Sequence, residues 1–207
     1  ARVSQRGLLQ VLAEAVRARG GKIVEGATVD QPDKVSAGHV VIAAGHDSFA
    51  LAGTPDMGWG VKGQAVLLEP ESPLPEDLPI LYRGGTYVIR HDDGRVAVGS
   101  TSERAFADDR PDQATATKLM AEAASLCPAL AGAQMVESWA GIRPRAAARQ
   151  PMVGPMPGNG RLIMATGGFK ITLGIAHRMA DAVVAFANGE TPDLPPGFNP
   201  AEQLASV

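Results

Sequence analysis

Arg161-Leu162-Ile163-Met164-Ala165-Thr166-Gly167-Gly168-Phe169-Lys170-Ile171-Thr172-Leu173-Gly174 runs from an apolar segment through a glycine pair into a helical pattern. Arg161 to Thr166 reads as a strand. Beyond Gly174, the residues Ile175, Met179, Val183 and Phe186 recur on one helical stripe, and Gly189 ends it. Strand, glycine turn and helix in that order mark an α/β fold. The start of such a helix presents unpaired backbone N–H groups and the positive end of its dipole. An anionic or electron-rich ligand is one reading of the junction, and a tight connection that needs glycine is the other.

At the other end, Ser4 suits a helix N-cap, and Leu8, Leu9, Leu12 and Val16 share a face. Gly20-Gly21 stops that helix. Lys22 to Val24 is a short strand candidate. Val40-Val41-Ile42-Ala43-Ala44-Gly45 is a continuous apolar run, the pattern of a strand buried on both faces of a parallel sheet. The middle changes character. Gln64 to Glu69, Leu81 to Arg90 and Arg95 to Ser100 are strand-like, and His91-Asp92-Asp93-Gly94 predicts a hairpin between the last two. A helix is expected from Pro111, taken as its first residue, to Leu126, followed by a strand over Ala133 to Trp139. The tail from Thr191 is rich in proline.

The expected fold class is therefore α/β with α+β character: an α/β unit interrupted by an antiparallel sheet. The expected division is 1–55 with 140–207 as one discontinuous domain and 56–139 as the other.

Composition excludes several classes. A net charge of −3 offers no basic field for nucleic acid. One cysteine, Cys127, excludes a disulfide framework and a cysteine-rich metal site. No apolar run is long enough for a membrane span, and no signal peptide is evident, so a cytoplasmic protein is expected. The four histidines, His39, His46, His91 and His177, form no metal-ligand spacing, and no metal is expected.

Two motifs bear on function. Gly58-Trp59-Gly60-Val61-Lys62-Gly63 matches G-x-G-x-x-G, but a strand follows it where dinucleotide binding needs a helix. Arg143, in Gly141-Ile142-Arg143-Pro144, offers a planar fork for a carboxylate. Its bland alternative is a surface arginine in a stretch that also holds Arg145 and Arg149.

Five segments in order carry a resemblance: Leu8 to Val29 before Val40–Gly45; Val61-Lys62-Gly63-Gln64; Tyr87-Val88-Ile89-Arg90 with Asp93 to Thr101; Trp139-Ala140-Gly141-Ile142-Arg143-Pro144 with Pro151-Met152-Val153-Gly154; and Ala165 to Lys170 with Gly174-Ile175-Ala176. Their order and spacing resemble the FAD-dependent D-amino acid oxidase superfamily, especially glycine and sarcosine oxidases. The resemblance implies a flavin-binding α/β unit with an antiparallel substrate sheet. It implies that Val29 and Gly45 approach the adenosine side of FAD. It places Gly167, Gly168, Ile171, Thr172 and Leu173 near the isoalloxazine ring. Arg143 would grip the substrate carboxylate, Lys170 would lie near substrate or flavin, and Tyr87 would project into the substrate pocket. The implied partner is a small amino acid or amine, and a homo-oligomer is left open. Arg149-Gln150 departs from the family's Asp-Gly type of pair.

The family's N-terminal strand and glycine-rich turn would precede Ala1. The expectation is thus a C-terminal portion, about three-fifths of a larger fold, binding FAD weakly and inactive alone. Two other readings stay open: a non-catalytic domain that binds small carboxylates, and a flavoenzyme acting on 2-hydroxy acids or a polyol phosphate.

Overall fold

The computed structural model describes residues 3–205. Helices and sheets are mixed, as an α/β chain requires, and they divide into two compact units. The first unit comprises residues 1–29, 65–100 and 112–138; the second comprises 30–64, 101–111 and 139–207. In chain order the elements are α1 (Gln5–Ala18), β1 (Val40–Ile42), α2 (Ser48–Leu51), β2 (Gly58–Glu69), β3 (Leu81–Arg83), β4 (Thr86–Arg90), β5 (Val96–Gly99), α3 (Gln113–Leu126), β6 (Gln134–Ala146), β7 (Met152–Met156), β8 (Asn159–Thr166), α4 (Thr172–Ala187) and α5 (Pro200–Leu204).

The second unit is built on a three-stranded sheet ordered β1-β8-β7. β1 runs parallel to β8, with Val41 opposite Ile163, and β7 returns antiparallel to β8. Strand residues alternate between faces. Leu162 and Met164 of β8 therefore enter a cluster with Ile42, Phe49, Met57 and Met152, while Ala165 on the other face meets Met179, Ala182 and Phe186 near α4. Both faces of β8 are covered, which is why its sequence is apolar without alternation.

The first unit is antiparallel, and the strand order of its sheet is β3-β4-β5-β2-β6. Val88 pairs with Val98, and Val98 with Val66, so three valines line up across β4, β5 and β2. They face Ala116, Leu119 and Ala123 of α3 in one buried cluster. Tyr87 precedes Val88 and so points to the opposite face. The Thr86 hydroxyl donates to Glu122 of α3 at 2.5 Å. α1 is capped as its sequence predicts, with the Gly7 N–H donating to Ser4 Oγ at 3.3 Å. It buries none of its residues, and Leu9 remains 64% exposed. Its Arg6 forms a paired contact with Glu137, which holds that carboxyl below its usual range.

The structure departs from the sequence reading at several elements. Lys22 to Val24 forms no strand; Val24 is 74% exposed and has no strand partner among the described residues. Leu81 to Arg90 is two strands, because Gly84 and Gly85 both take positive φ (60° and 98°) and close a hairpin. Pro111 lies before α3: Asp112 is the cap, its carboxylate accepting from the Thr115 N–H at 2.8 Å. The strand expected to end at Trp139 continues to Ala146, so Arg143 sits within β6.

The Gly58–Gly63 match lies wholly within β2, and its glycines make room for neighbours. A Cβ on Gly58 would overlap the Phe49 ring and come within 2.6 Å of the Arg145 backbone oxygen. The ring is buried and the oxygen belongs to a strand, so neither yields easily. Gly58→Ala is expected to cost about 1–3 kcal/mol, as overpacked cores do. Urea midpoints would measure it, and an unchanged midpoint would contradict the packing described.

Candidate functional site

The site is assembled within the second unit from three pieces of chain: the end of β6, the turn after β8, and the segment at residues 101–103. Arg143 and Arg145 are two residues apart on β6 and share a side of the strand. Arg143 is half-buried. Its Nη1 donates to the Thr101 carbonyl at 3.2 Å, and its guanidinium fills the space where a Cβ of Gly63 would stand. Burial lowers the Arg143 pKa from its ordinary value, and the negative charge of Glu103 acts the other way. An arginine remains charged under such a shift.

Glu103 is fixed in turn. Its backbone pairs with Lys62 in both directions, at 2.8 and 2.9 Å. Its carboxylate accepts from Gln64 Nε2 at 2.9 and 3.2 Å and from the Thr101 hydroxyl. The same hydroxyl oxygen accepts the Gln64 N–H at 2.8 Å. This network sets the position of the Thr101 carbonyl against which Arg143 rests.

The turn after β8 supplies the other side. Gly167 has φ +78°, a region that favours glycine, and an added Cβ would lie 3.0 Å from that of Ala146. Gly168 forms an isolated antiparallel bridge with Arg145, which ties the turn to the end of β6. The next residue, Phe169, has φ +48°, a conformation that is an outlier for a bulky side chain. Its ring centroid lies 4.7 Å from Arg145 Cζ and 5.7 Å from Lys170 Nζ, within cation–π range. The Lys170 pKa is lowered, first by burial and then by the charges of Arg143 and Arg145. Three cations therefore act on one small region. Lys170 is still largely exposed, so solvent screens part of that repulsion.

α4 begins at Thr172, and the Thr172 hydroxyl donates to the Phe169 carbonyl at 3.1 Å. Ile171 and Leu173 flank this start and stay 56% and 44% exposed. Gly45 follows β1 with φ +62°, and its carbonyl accepts the Thr166 hydroxyl at 2.6 Å. Since β1 and β8 are parallel and paired, Gly45 and Gly167 lie at the same, C-terminal edge of the sheet. Ligands of open α/β sheets bind at that edge.

Of the residues expected from sequence, Arg143, Lys170, Gly45, Gly167, Gly168, Ile171, Thr172 and Leu173 all fall in this unit. Tyr87 and Val29 belong to the other. Tyr87 is 43% exposed with its ring 4.5 Å from that of Tyr82, and Val29 is 49% exposed. Arg145, Phe169, Glu103, Thr101 and Gln64 were not singled out by sequence. Arg145 had a signal in its i+2 spacing from Arg143, and Gln64, Thr101 and Phe169 lie inside the segments that carry the resemblance; Glu103 had none, because its contacts with Lys62 and Gln64 span about 40 residues of chain.

The residues present suit one side of a flavin. An exposed apolar pair, a helix start and a lysine converge where a flat ring able to take up negative charge would sit. Among the described residues no strand–G-x-G-x-x-G–helix turn for the pyrophosphate occurs. Among them no cluster of potential metal ligands occurs, and no helix is long and apolar enough to cross a membrane.

A parallel strand, a glycine turn and a helix start, with cations at the sheet edge, make the junction of an α/β protein. The chain belongs to the FAD dependent oxidoreductase (DAO) family, whose model matches residues 1–182. Relatives include a glycine oxidase of Pseudomonas aeruginosa, 34% identical over 70% of this chain and 39% of its own length. Another is a glycine oxidase of Pseudomonas putida, 33% identical over 78% of this chain and 45% of its own length. The chain thus spans less than half of these relatives. The crystal structure of glycine oxidase from Geobacillus kaustophilus shares the fold, with TM-score 0.81 at 24% identity over 91% of this chain and 55% of that one.

Proposed function

We propose that these residues form the substrate-holding and flavin-facing part of a flavin-dependent oxidoreductase that oxidises the C–N bond of a small amino acid or secondary amine. The observation that carries this is the half-buried Arg143 fork, backed by the Thr101 carbonyl, beside the cationic turn at the sheet edge. Bound FAD supplies the hydride acceptor. Arg143 takes the substrate carboxylate in a bidentate grip and so orients the carbon that bears the amine. Lys170 and the N–H groups at the start of α4 favour negative charge that develops next to them. An amine that enters neutral needs no dedicated base from the chain. In this reading β1, β8 and α4, within 1–55 and 140–207, carry the cofactor side. The antiparallel strands within 56–139, with Tyr87, carry the substrate side, and Val29 and Gly45 lie toward the adenosine. Glycine is the first substrate to try, since the relatives named above are glycine oxidases.

The whole protein that carries this chain is expected to be yellow and to bleach anaerobically with glycine or sarcosine, releasing ammonia or methylamine on reoxidation. The 207 residues alone are expected to bind FAD weakly. A colourless whole protein that does not reconstitute with FAD would refute the proposal. So would bleaching by 2-hydroxy acids and not by amines.

A further inference from the structure

The cationic group at the end of β6 holds more positive charge than a single carboxylate matches. Arg143, Arg145 and Lys170 act on one region, and both charges that perturb Lys170 are positive. Glu103 acts on Arg143, but its carboxylate is already held by Gln64 and Thr101. Arg145 differs from Arg143. Its Nε is buried and has no hydrogen-bond partner among the described residues. A donor left in that state costs free energy, which an acceptor would recover. The Arg145 guanidinium is held over the Phe169 ring, and that ring is placed by a backbone conformation that a bulky residue avoids. Strain of this kind persists where the surrounding structure imposes it, and it concentrates at ligand sites. The bridge between Arg145 and Gly168 fixes the same geometry from the backbone side.

We propose that Arg145, with Phe169 and Lys170, forms a second anion seat beside the Arg143 fork, and that the amine substrate is a dicarboxylic amino or imino acid. The proposal rests on the reading of Arg143 as a carboxylate fork. The two arginines stand two strand residues apart, roughly 7 Å along β6, within reach of both ends of a short dicarboxylate. One substrate carboxylate meets Arg143. The second meets Arg145 and Lys170 and removes the repulsion between them. The alternative source of a second negative charge is the reduced cofactor itself, which would favour no dicarboxylate over a monocarboxylate.

Calorimetry on the whole FAD-loaded protein with succinate and butyrate, matched in chain length and inert to oxidation, separates these cases. Succinate is expected to bind about tenfold or more tighter than butyrate, as an added charge-assisted contact implies. Arg145→Ala, or Arg145→Gln if the alanine variant unfolds, is expected to abolish that advantage, so that succinate and butyrate bind within about twofold of each other. Equal affinities in the wild type would overturn the second seat, as would loss of both ligands together in the Arg145 variant or no binding of either. Arg143→Ala distinguishes the two readings. If it leaves butyrate binding unchanged while the Arg145 variant still removes the succinate advantage, the oxidase reading of Arg143 fails and the seat at Arg145 stands.

Discussion

Arg143→Ala in the whole FAD-loaded protein is expected to lower kcat/KM for its amine substrate by roughly 30-fold to several thousand-fold. That range corresponds to the about 2–5 kcal/mol lost when one partner of a buried, hydrogen-bonded charge pair is removed. The loss should appear mainly in KM, because the carboxylate is gripped in the ground state as well as in the transition state. Part should reach kcat, since a carboxylate without its fork lets the reacting carbon wander. Flavin content and thermal midpoint are expected to hold, because Arg143 is half-buried and its neighbours Thr101 and Glu103 retain their own bonds with Gln64. Arg143→Lys should recover only part of the activity, as it restores charge without the planar fork. Full activity in the alanine variant would remove Arg143 from the site.

Gly63→Ala is expected to separate stability from function. A Cβ there would overlap the Arg143 guanidinium. The atoms that must move are the far end of a flexible side chain, so the fold can absorb them. Alanine also stiffens a strand interior relative to glycine, a gain of about 0.5–1 kcal/mol. The denaturation midpoint should therefore change little. The displaced fork, by contrast, no longer meets the carboxylate where the reacting carbon needs it. A misplacement of about 1 Å costs on the order of 100-fold in rate. Denaturation and steady-state kinetics on the same preparation test this. A variant that unfolds, or one with undiminished kcat/KM, would show that Gly63 does not serve Arg143.

The G-x-G-x-x-G match shows how a pattern is resolved by context. Its sequence neighbours already spoke against dinucleotide binding, and β2 contains all of it. What the pattern did not reveal is that each glycine yields space to a different neighbour: Gly58 to Phe49, Gly60 to Ile142, and Gly63 to Arg143. Ile142 and Arg143 are remote in the chain. The same holds for the long β6. Gly141 and Pro144 suggested that the strand ended before Arg143, yet pairing carries it on to Ala146. The Thr101–Glu103–Gln64 network has no sequence signature, because the bonds that tie it to Gln64 join positions 37 and 39 residues apart.

Local stereochemistry and periodicity were legible from residue order alone. Ser4 caps its helix, Asp93-Gly94 turns a hairpin, and the apolar run before Gly167 is a strand. These features depend on φ/ψ preference and on repeats of two or 3.6 residues, which are written into neighbouring positions. The resemblance in motif order extended that reading to the family. Tertiary structure alone decided which side chains share a space. It put Arg145 over Phe169, brought both arginines to bear on Lys170, and left the apolar stripe of α1 exposed. Charge repulsion, desolvation and close packing act through space between residues far apart in the chain, so the charge of this site is a property of the folded molecule.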